Sequence, residues 1–250
     1  MSLGELSACV AHEIRNPLAG IGAAAQLLQK RLGPDDLRNQ FTEIILHEVV
    51  RLDRIVENLL RFARPAQPHL MESSVVEALE RLLALVEESA REKSIAIETS
   101  IDRDVPRIYM DADQILQVLL NVVQNAFQAM AGGGVLSVEL RRTVRPPYVR
   151  RTAGRRASDR VEPPEPARPV ELVEIAIRDN GHGIPKETLD RIFDPFFTTR
   201  TDGTGLGLPI SQSIVREHAG FIAIDSTVGR GTTVTVYLPM EKRIGERRRN

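Results

Sequence analysis

The 250-residue chain has a single cysteine, Cys9, and a net charge of only -1. One cysteine excludes an internal disulfide framework and suits a reducing cytoplasm. Its place in a helical apolar pattern points to a buried structural thiol. The near-zero charge gives no overall attraction to nucleic acid or to an anionic membrane. No apolar run reaches the ~20 residues that span a bilayer. The nearest, 118–130, is interrupted by Asn121, Gln124, Asn125 and Gln128. No signal peptide opens the chain, and no His/Cys cluster has zinc-ligand spacing. The first helical pattern starts so close to Met1 that a longer parent chain, with a sensor region ahead, is expected.

What is there is 42% apolar and 27% charged, a soluble globular composition with material for one or two cores. Leu3, Leu6, Val10, Ile14, Leu18, Ile21, Ala25, Leu28 and Leu32 recur at intervals of three and four, predicting an amphipathic helix over 3–32. Gly33-Pro34-Asp35 breaks it. A second pattern over 36–64 carries Phe41, Ile45, Leu52, Ile55, Leu59 and Phe62, and ends at Arg64-Pro65. Two such helices form a hairpin whose apolar seam is half open to water. A second copy closing it gives an antiparallel four-helix bundle, the preferred reading over packing on the chain's own second domain.

From residue 73 the texture changes. Helices are predicted at 75–91, 113–130 and 208–218, with an N-cap at Asp111 or Asp113 for the second. Strands are predicted at 94–101, 135–141, 171–178, 221–226 and 232–238. The mixture predicts an α+β sandwich, helices on one face of a largely antiparallel sheet. Residues 142–170 stand apart: they hold six prolines, and seven of their arginines (142–160) come before a small acidic patch. They read as a mobile insertion between two strands, favoured over a basic docking arm for an acidic partner or lipid.

Three short elements carry chemistry. Asn121 and Asn125 lie one turn apart on a strongly apolar helix, where buried amides need partners. A divalent metal and its water, or neighbouring loops to cap, would each satisfy them. Asp179-Asn180-Gly181-His182-Gly183 follows a strand; its carboxylate can only accept, as from an exocyclic amine, and its glycines allow a ligand close. Alone, the pattern is also that of a plain turn. Gly203-Thr204-Gly205-Leu206-Gly207 leads into a helix whose first N–H groups suit phosphate. It lacks the GK[ST] ending of a P-loop and the strand that precedes a Rossmann fingerprint. Between the last two, 191–200 places aromatics among turn residues, as in a lid.

His12-Glu13-Ile14-Arg15-Asn16-Pro17 completes the set. Neutral imidazole is a competent nucleophile near pH 7. Asn16 lies one turn from His12, and Pro17 cannot donate to the Glu13 carbonyl, so a bend is expected. His47, His69, His182 and His218 have no comparable setting and are assigned no chemistry.

In order, His12-Glu13-x-x-Asn16-Pro17, Asn121-x-x-x-Asn125, Asp179-x-Gly181-x-Gly183, Phe193-x-Pro195-Phe196-Phe197, Gly203-Thr204-Gly205-Leu206-Gly207 and Gly229-x-Gly231-Thr232 resemble the H, N, G1, F, G2 and G3 boxes of two-component sensor histidine kinases. The wording is similar to the nitrogen-regulatory and zinc-responsive branch. The resemblance implies a dimerisation and phosphotransfer domain at 1–66, a linker at 67–72, and a GHKL (Bergerat) ATP-binding domain at 73–242, with a tail at 243–250. It implies Mg²⁺ on Asn125, polar positioning by Asn121, and adenine read by Asp179 in a pocket shaped by Gly181 and Gly183. Gly203, Thr204, Gly205, Leu206 and Gly207 would cover the phosphates, Arg200 would reach the γ-phosphate, and Thr232 would join the nucleotide site. Glu13, one residue from His12 and facing elsewhere on an ideal helix, is given its proton-handling role by the resemblance alone.

The implied activity is ATP-dependent phosphorylation of His12 and transfer to an aspartate of a response regulator. Asn16 would orient water for dephosphorylating that regulator. Homodimerisation, a cytoplasmic setting, and membrane attachment only through a missing sensor region complete the expectation. Two competing readings remain. One is a clamp ATPase of the gyrase, chaperone or mismatch-repair kind, which carries glutamate where Asn121 stands. The other is a non-catalytic dimeric scaffold.

Overall fold

The computed structural model describes residues 67–145, 170–195, 197–199 and 205–241, with 18–23, 25–26, 28, 42–43, 45–46, 49–50 and 52–53. The chain divides into two compact units: 1–67 with 191–213, and 68–190 with 214–250.

In the first unit, the described residues within 18–28 and 42–53 are helical, as both apolar stripes predict. A Cβ built on Gly22 would meet Val49 Cγ1 at 3.4 Å, so the two helices approach to about the width of one methyl group there. Leu18, Ala25 and Thr42 are buried. Ile21 and Leu28 are 48% and 55% exposed, and Ile45 and Leu52 are 39% exposed each, although all four lie on the predicted stripes. The single hairpin therefore leaves part of its seam in water. Cys9 lies outside the described residues.

The second unit begins with β1 (Met71–Ser73), α1 (Val75–Glu92), β2 (Ile95–Ile101) and β3 (Ile108–Met110). It continues with α2 (Ala112–Ala129), β4 (Gly134–Arg145), β5 (Val170–Asp179) and the single-turn α3 (Lys186–Leu189). After α4 (Gly207–Glu217), which starts in the first unit, come β6 (Phe221–Thr227) and β7 (Gly231–Pro239). Ser74 caps α1, its hydroxyl accepting from Glu77 N–H at 3.2 Å. Such a cap satisfies one of the donors that every helix start leaves open. The buried face of α1 recurs at Val75, Ala78, Leu79, Leu82, Val86 and Ala90, the period of one helix face.

Five strands form one sheet in the order β2-β4-β5-β7-β6. The β2/β4 pair is parallel and the rest are antiparallel, which makes the sheet largely antiparallel as expected. Strand side chains alternate in direction, so every second residue faces the helices. Leu136, Val138 and Leu140 on β4, Val173, Ile175 and Ile177 on β5, and Val236 and Leu238 on β7 share a core with α1 and α2. Burying each large aliphatic side chain contributes about 1.5–3 kcal/mol. On the other face, Arg141 and Glu174 are register partners across β4 and β5 and form an ion pair. Glu174 is buried, and its carboxylate holds the Arg141 guanidinium above its ordinary pKa by hydrogen bonding and charge.

Three features depart from the sequence reading. β1 and β3 pair as a separate two-stranded sheet, and α3 is one turn; none was predicted. The stretch set apart at 142–170 begins too early and ends one residue late. β4 keeps pairing through Arg142, Thr143, Val144 and Arg145, and Val170 is the register partner of Arg145. Backbone pairing overrides the arginine-rich composition there. Residues 146–169 lie outside the described residues.

Candidate functional site

Asp111 starts the helix that carries the two asparagines. Its Oδ1 accepts from the N–H groups of Asp113 and Gln114 at 3.2 and 3.1 Å. Eight apolar residues of α2 are buried, and Asn121 and Asn125 sit half-buried at the edge of that face. One further turn on, at Ala129, the face meets the Asp179–Gly183 loop. The Ala129 carbonyl accepts His182 N–H at 3.3 Å, and a Cβ on Gly181 would lie 2.6 Å from the same oxygen. Glycine at 181 is what allows this approach.

The loop is fixed on three more sides. Asn180 Oδ1 accepts Val135 N–H at 2.9 Å, tying the loop to the start of β4. Gly183 has φ +71, and a side chain there would run into the Thr227 carbonyl. Ser226 Oγ accepts Ile184 N–H at 2.8 Å, donates to the Gly231 carbonyl at 3.1 Å, and lies 2.9 Å from Thr232 Oγ1.

Asp179 ends β5 at the centre of this arrangement and is 5% exposed. Its Oδ1 accepts Gly181 N–H at 2.9 Å and Thr232 N–H at 3.2 Å. Burial pushes the carboxyl above the usual carboxylate range, and the two N–H groups pull it partly back. Both bonds fall on Oδ1, so Oδ2 is the oxygen available to a donor. The structure thus brings Asp179, Gly181, Gly183 and Thr232 together, and docks their loop on the helix of Asn121 and Asn125.

In the first unit, Leu206 is buried and its carbonyl accepts Ile210 N–H at 3.0 Å, the first bond of α4. Gly205 takes φ +65 just ahead of it. Pro209 falls in the first turn, where a missing N–H costs no helical bond. The Arg191 guanidinium lies 4.2 Å over the Phe197 ring, so part of the predicted lid is held by its own residues. His12, Glu13, Asn16, Arg200, Gly203 and Thr204 lie outside the described residues. The sequence reading missed Asn180, Ala129 and Ser226. Asn180 was findable from the Asp-Asn-Gly turn; the other two act through partners remote in sequence.

A buried acceptor at a strand end, beside a helix carrying two amides, resembles a nucleotide pocket, and comparison with known proteins agrees. Residues 110–242, more than half the chain, match the family model for histidine kinase-, DNA gyrase B- and HSP90-like ATPases. Residues 2–68 match the His Kinase A phospho-acceptor domain. The chain belongs to the two-component histidine kinases. Among similar proteins, this kinase core is 34% identical over 240 residues to sensor histidine kinase ZraS of Escherichia coli strain K12, covering 96% of the chain and 46% of that protein. It is 39% identical over 232 residues to sensory histidine kinase/phosphatase NtrB of Vibrio alginolyticus, covering 92% of the chain and 61% of that protein. The chain thus spans about half the length of the curated relatives it matches.

Solved structures agree on the fold. Histidine kinase ThkA, in complex with response regulator protein TrrA, matches 96% of this kinase core and 63% of that chain, with TM-score 0.62 and 29% identity. Full-length ShkA in complex with AMPPNP matches 96% and 46%, with TM-score 0.71 and 23% identity. The five-stranded sheet with its helices is that of a GHKL ATP-binding domain.

Proposed function

We propose that the chain uses Mg-ATP to phosphorylate His12 and passes the phosphoryl group to an aspartate of a response regulator receiver domain. The observation that carries this is the buried Asp179 carboxylate and its loop, docked through Gly181 and Ala129 on the Asn121–Asn125 helix in a chain that also matches a phospho-acceptor domain. Asp179 Oδ2 accepts the adenine N6 amine, while Oδ1 stays engaged with the backbone. A buried carboxylate left without its ligand donor is costly, so a base lacking the amine is rejected. The amide oxygen of Asn125 is a hard donor that suits Mg²⁺, with Asn121 as its polar neighbour. Among the described residues, no three His, Cys, Asp or Glu side chains group as a metal cage. The ion would therefore draw on the ATP phosphates and water beside that one amide. When bound, it offsets phosphate charge.

At His12, one imidazole nitrogen forms the bond to the γ-phosphorus as the bond to the bridging oxygen breaks. ADP leaves with the electron pair, and the proton on the other ring nitrogen passes to Glu13. Gly203, Thr204, Gly205, Leu206 and Gly207 cover the phosphates, and Arg200 adds a positive charge beside them. The partly exposed seam at Ile21, Leu28, Ile45 and Leu52 supports a homodimer in which two hairpins close one bundle. Among the described residues no helix is long and apolar enough to cross a membrane. The proposed setting is the cytoplasm, with any membrane link made by a sensor region of the parent protein.

A second activity, dephosphorylation of the regulator by water oriented on Asn16, is favoured by the Glu13-x-x-Asn16 pattern. One experiment tests the central claim: incubation with γ-labelled ATP and mapping of the labelled residue. Acid-labile label on His12 is expected. Free phosphate with no phosphohistidine would point instead to a clamp ATPase, and absence of ATP binding to a scaffold.

A further inference from the structure

His218 follows α4 directly and is 4% exposed, although the proposed reaction makes no use of it. Its Nδ1 lies 2.8 Å from the Ile214 carbonyl oxygen, four residues back in the last turn of α4. A carbonyl only accepts, so Nδ1 carries the proton. Its Nε2 accepts the backbone N–H of Asp111 at 3.0 Å. Both ring nitrogens are therefore used by the neutral Nδ1–H imidazole, and by neither of its other two forms. Asp111 is the N-cap of α2, the helix that carries Asn121 and Asn125. Its Oδ1 holds the N–H groups of Asp113 and Gln114, and its Oδ2 accepts His69 N–H at 3.0 Å. One residue thus joins three segments: the entry to β1, the start of the asparagine helix, and the end of the helix that opens at Gly207.

We propose that His218 is a positioning residue for nucleotide binding, its neutral imidazole pinning the start of α2 to the last turn of α4. The inference rests on reading the site as one for ATP. Backbone N–H groups at a helix start have no partner within the helix, and the part-buried Asp111 N–H has found its acceptor on a side chain 107 residues away. Without that acceptor the start of α2 samples placements in which Asn121 and Asn125 are misaligned. Affinity then falls with the fraction of molecules still competent to bind.

Two amides of different length separate this role from general packing. In His218→Gln, Oε1 reaches the position of Nε2 and can accept Asp111 N–H. In His218→Asn, the amide can serve the Ile214 carbonyl but falls short of Asp111. Titration calorimetry of the whole 250-residue chain with Mg-AMPPNP should give His218→Gln within about threefold of wild type. His218→Asn should bind about tenfold more weakly, the effect of one unmade part-buried hydrogen bond. Equal affinities for the two variants would overturn the proposal. Absence of AMPPNP binding by the wild type would refute the nucleotide reading, and the junction is then decided by nitrogen NMR. The wild-type ring should show a neutral imidazole protonated on Nδ1, with a slowly exchanging Asp111 amide. An Nε2–H or doubly protonated ring at neutral pH sinks the proposal whether or not nucleotide binds or His218→Asn folds.

Discussion

At the scale of single residues, Asp179 joins recognition to a stability cost. Its folded pKa is raised by burial, so its stabilising contribution is full at acid pH and is lost as pH rises through the folded value. Asp179→Asn removes that loss. Without nucleotide, the variant should melt no lower than wild type at pH 7, and any advantage should shrink as pH falls into the carboxylate range. A lower melting temperature at pH 7 contradicts the assignment. Its nucleotide affinity should fall by about 10- to 100-fold, because an amide donor would face the adenine amine. At the other reacting end, His12→Ala should abolish ATP-dependent labelling with nucleotide binding nearly intact; retained acid-labile label would rule His12 out. Asn16→Ala should spare autophosphorylation and slow dephosphorylation of the regulator, as read by loss of label from the phosphorylated receiver domain. The turn at Asp179–Gly183 was legible in the sequence, since glycine spacing after a strand is a local signal; the ligand roles proposed for it came from the resemblance. His218 was not, because its role depends on Asp111 and appears only when two helix ends meet.

At the scale of elements, local signals and packing divide the work. The cap of α2 was predicted at Asp111 or Asp113 and is Asp111, the Ser74 cap of α1 was not predicted, and the observed boundaries of both helices fall within a residue or two of those predicted. Ser74→Ala should lower stability by about 1 kcal/mol. Leu119→Ala, at a fully buried position of α2, should cost about 2–5 kcal/mol. Denaturant titration checks both, and the reverse ranking would mean that the cap outweighs the core. Strands β2, β5 and β7 were equally plain, predicted at 94–101, 171–178 and 232–238 and observed within one or two residues of those bounds. Three-residue β1 and β3 were not, because no period can be read over three positions; they exist through pairing with each other. The run Arg142-Thr143-Val144-Arg145 was misread because its charge hid the backbone pairing that continues β4.

At the scale of the whole molecule, the change of texture near residue 73 pointed to a two-part chain, and the order of its motifs pointed to the family. The hairpin seam is a surface on which assembly can be tested. Ile21→Glu with Leu28→Glu should shift the chain from dimer to monomer in analytical ultracentrifugation, because charge would be buried at the bundle core. A dimer surviving that pair of changes would locate the interface elsewhere.

The Arg145–Val170 rung has a practical corollary. Two chain positions 25 residues apart are held side by side by the ladder itself, so the path between them carries no topological duty. Shortening 146–169 to a tight turn should leave the sheet and its nucleotide affinity unchanged. The closure cost varies only with the logarithm of loop length, about 0.6 kcal/mol per doubling. The same rung is a natural place to open the chain: a circularly permuted kinase core with new ends at 145 and 170 would keep every strand of the sheet in register.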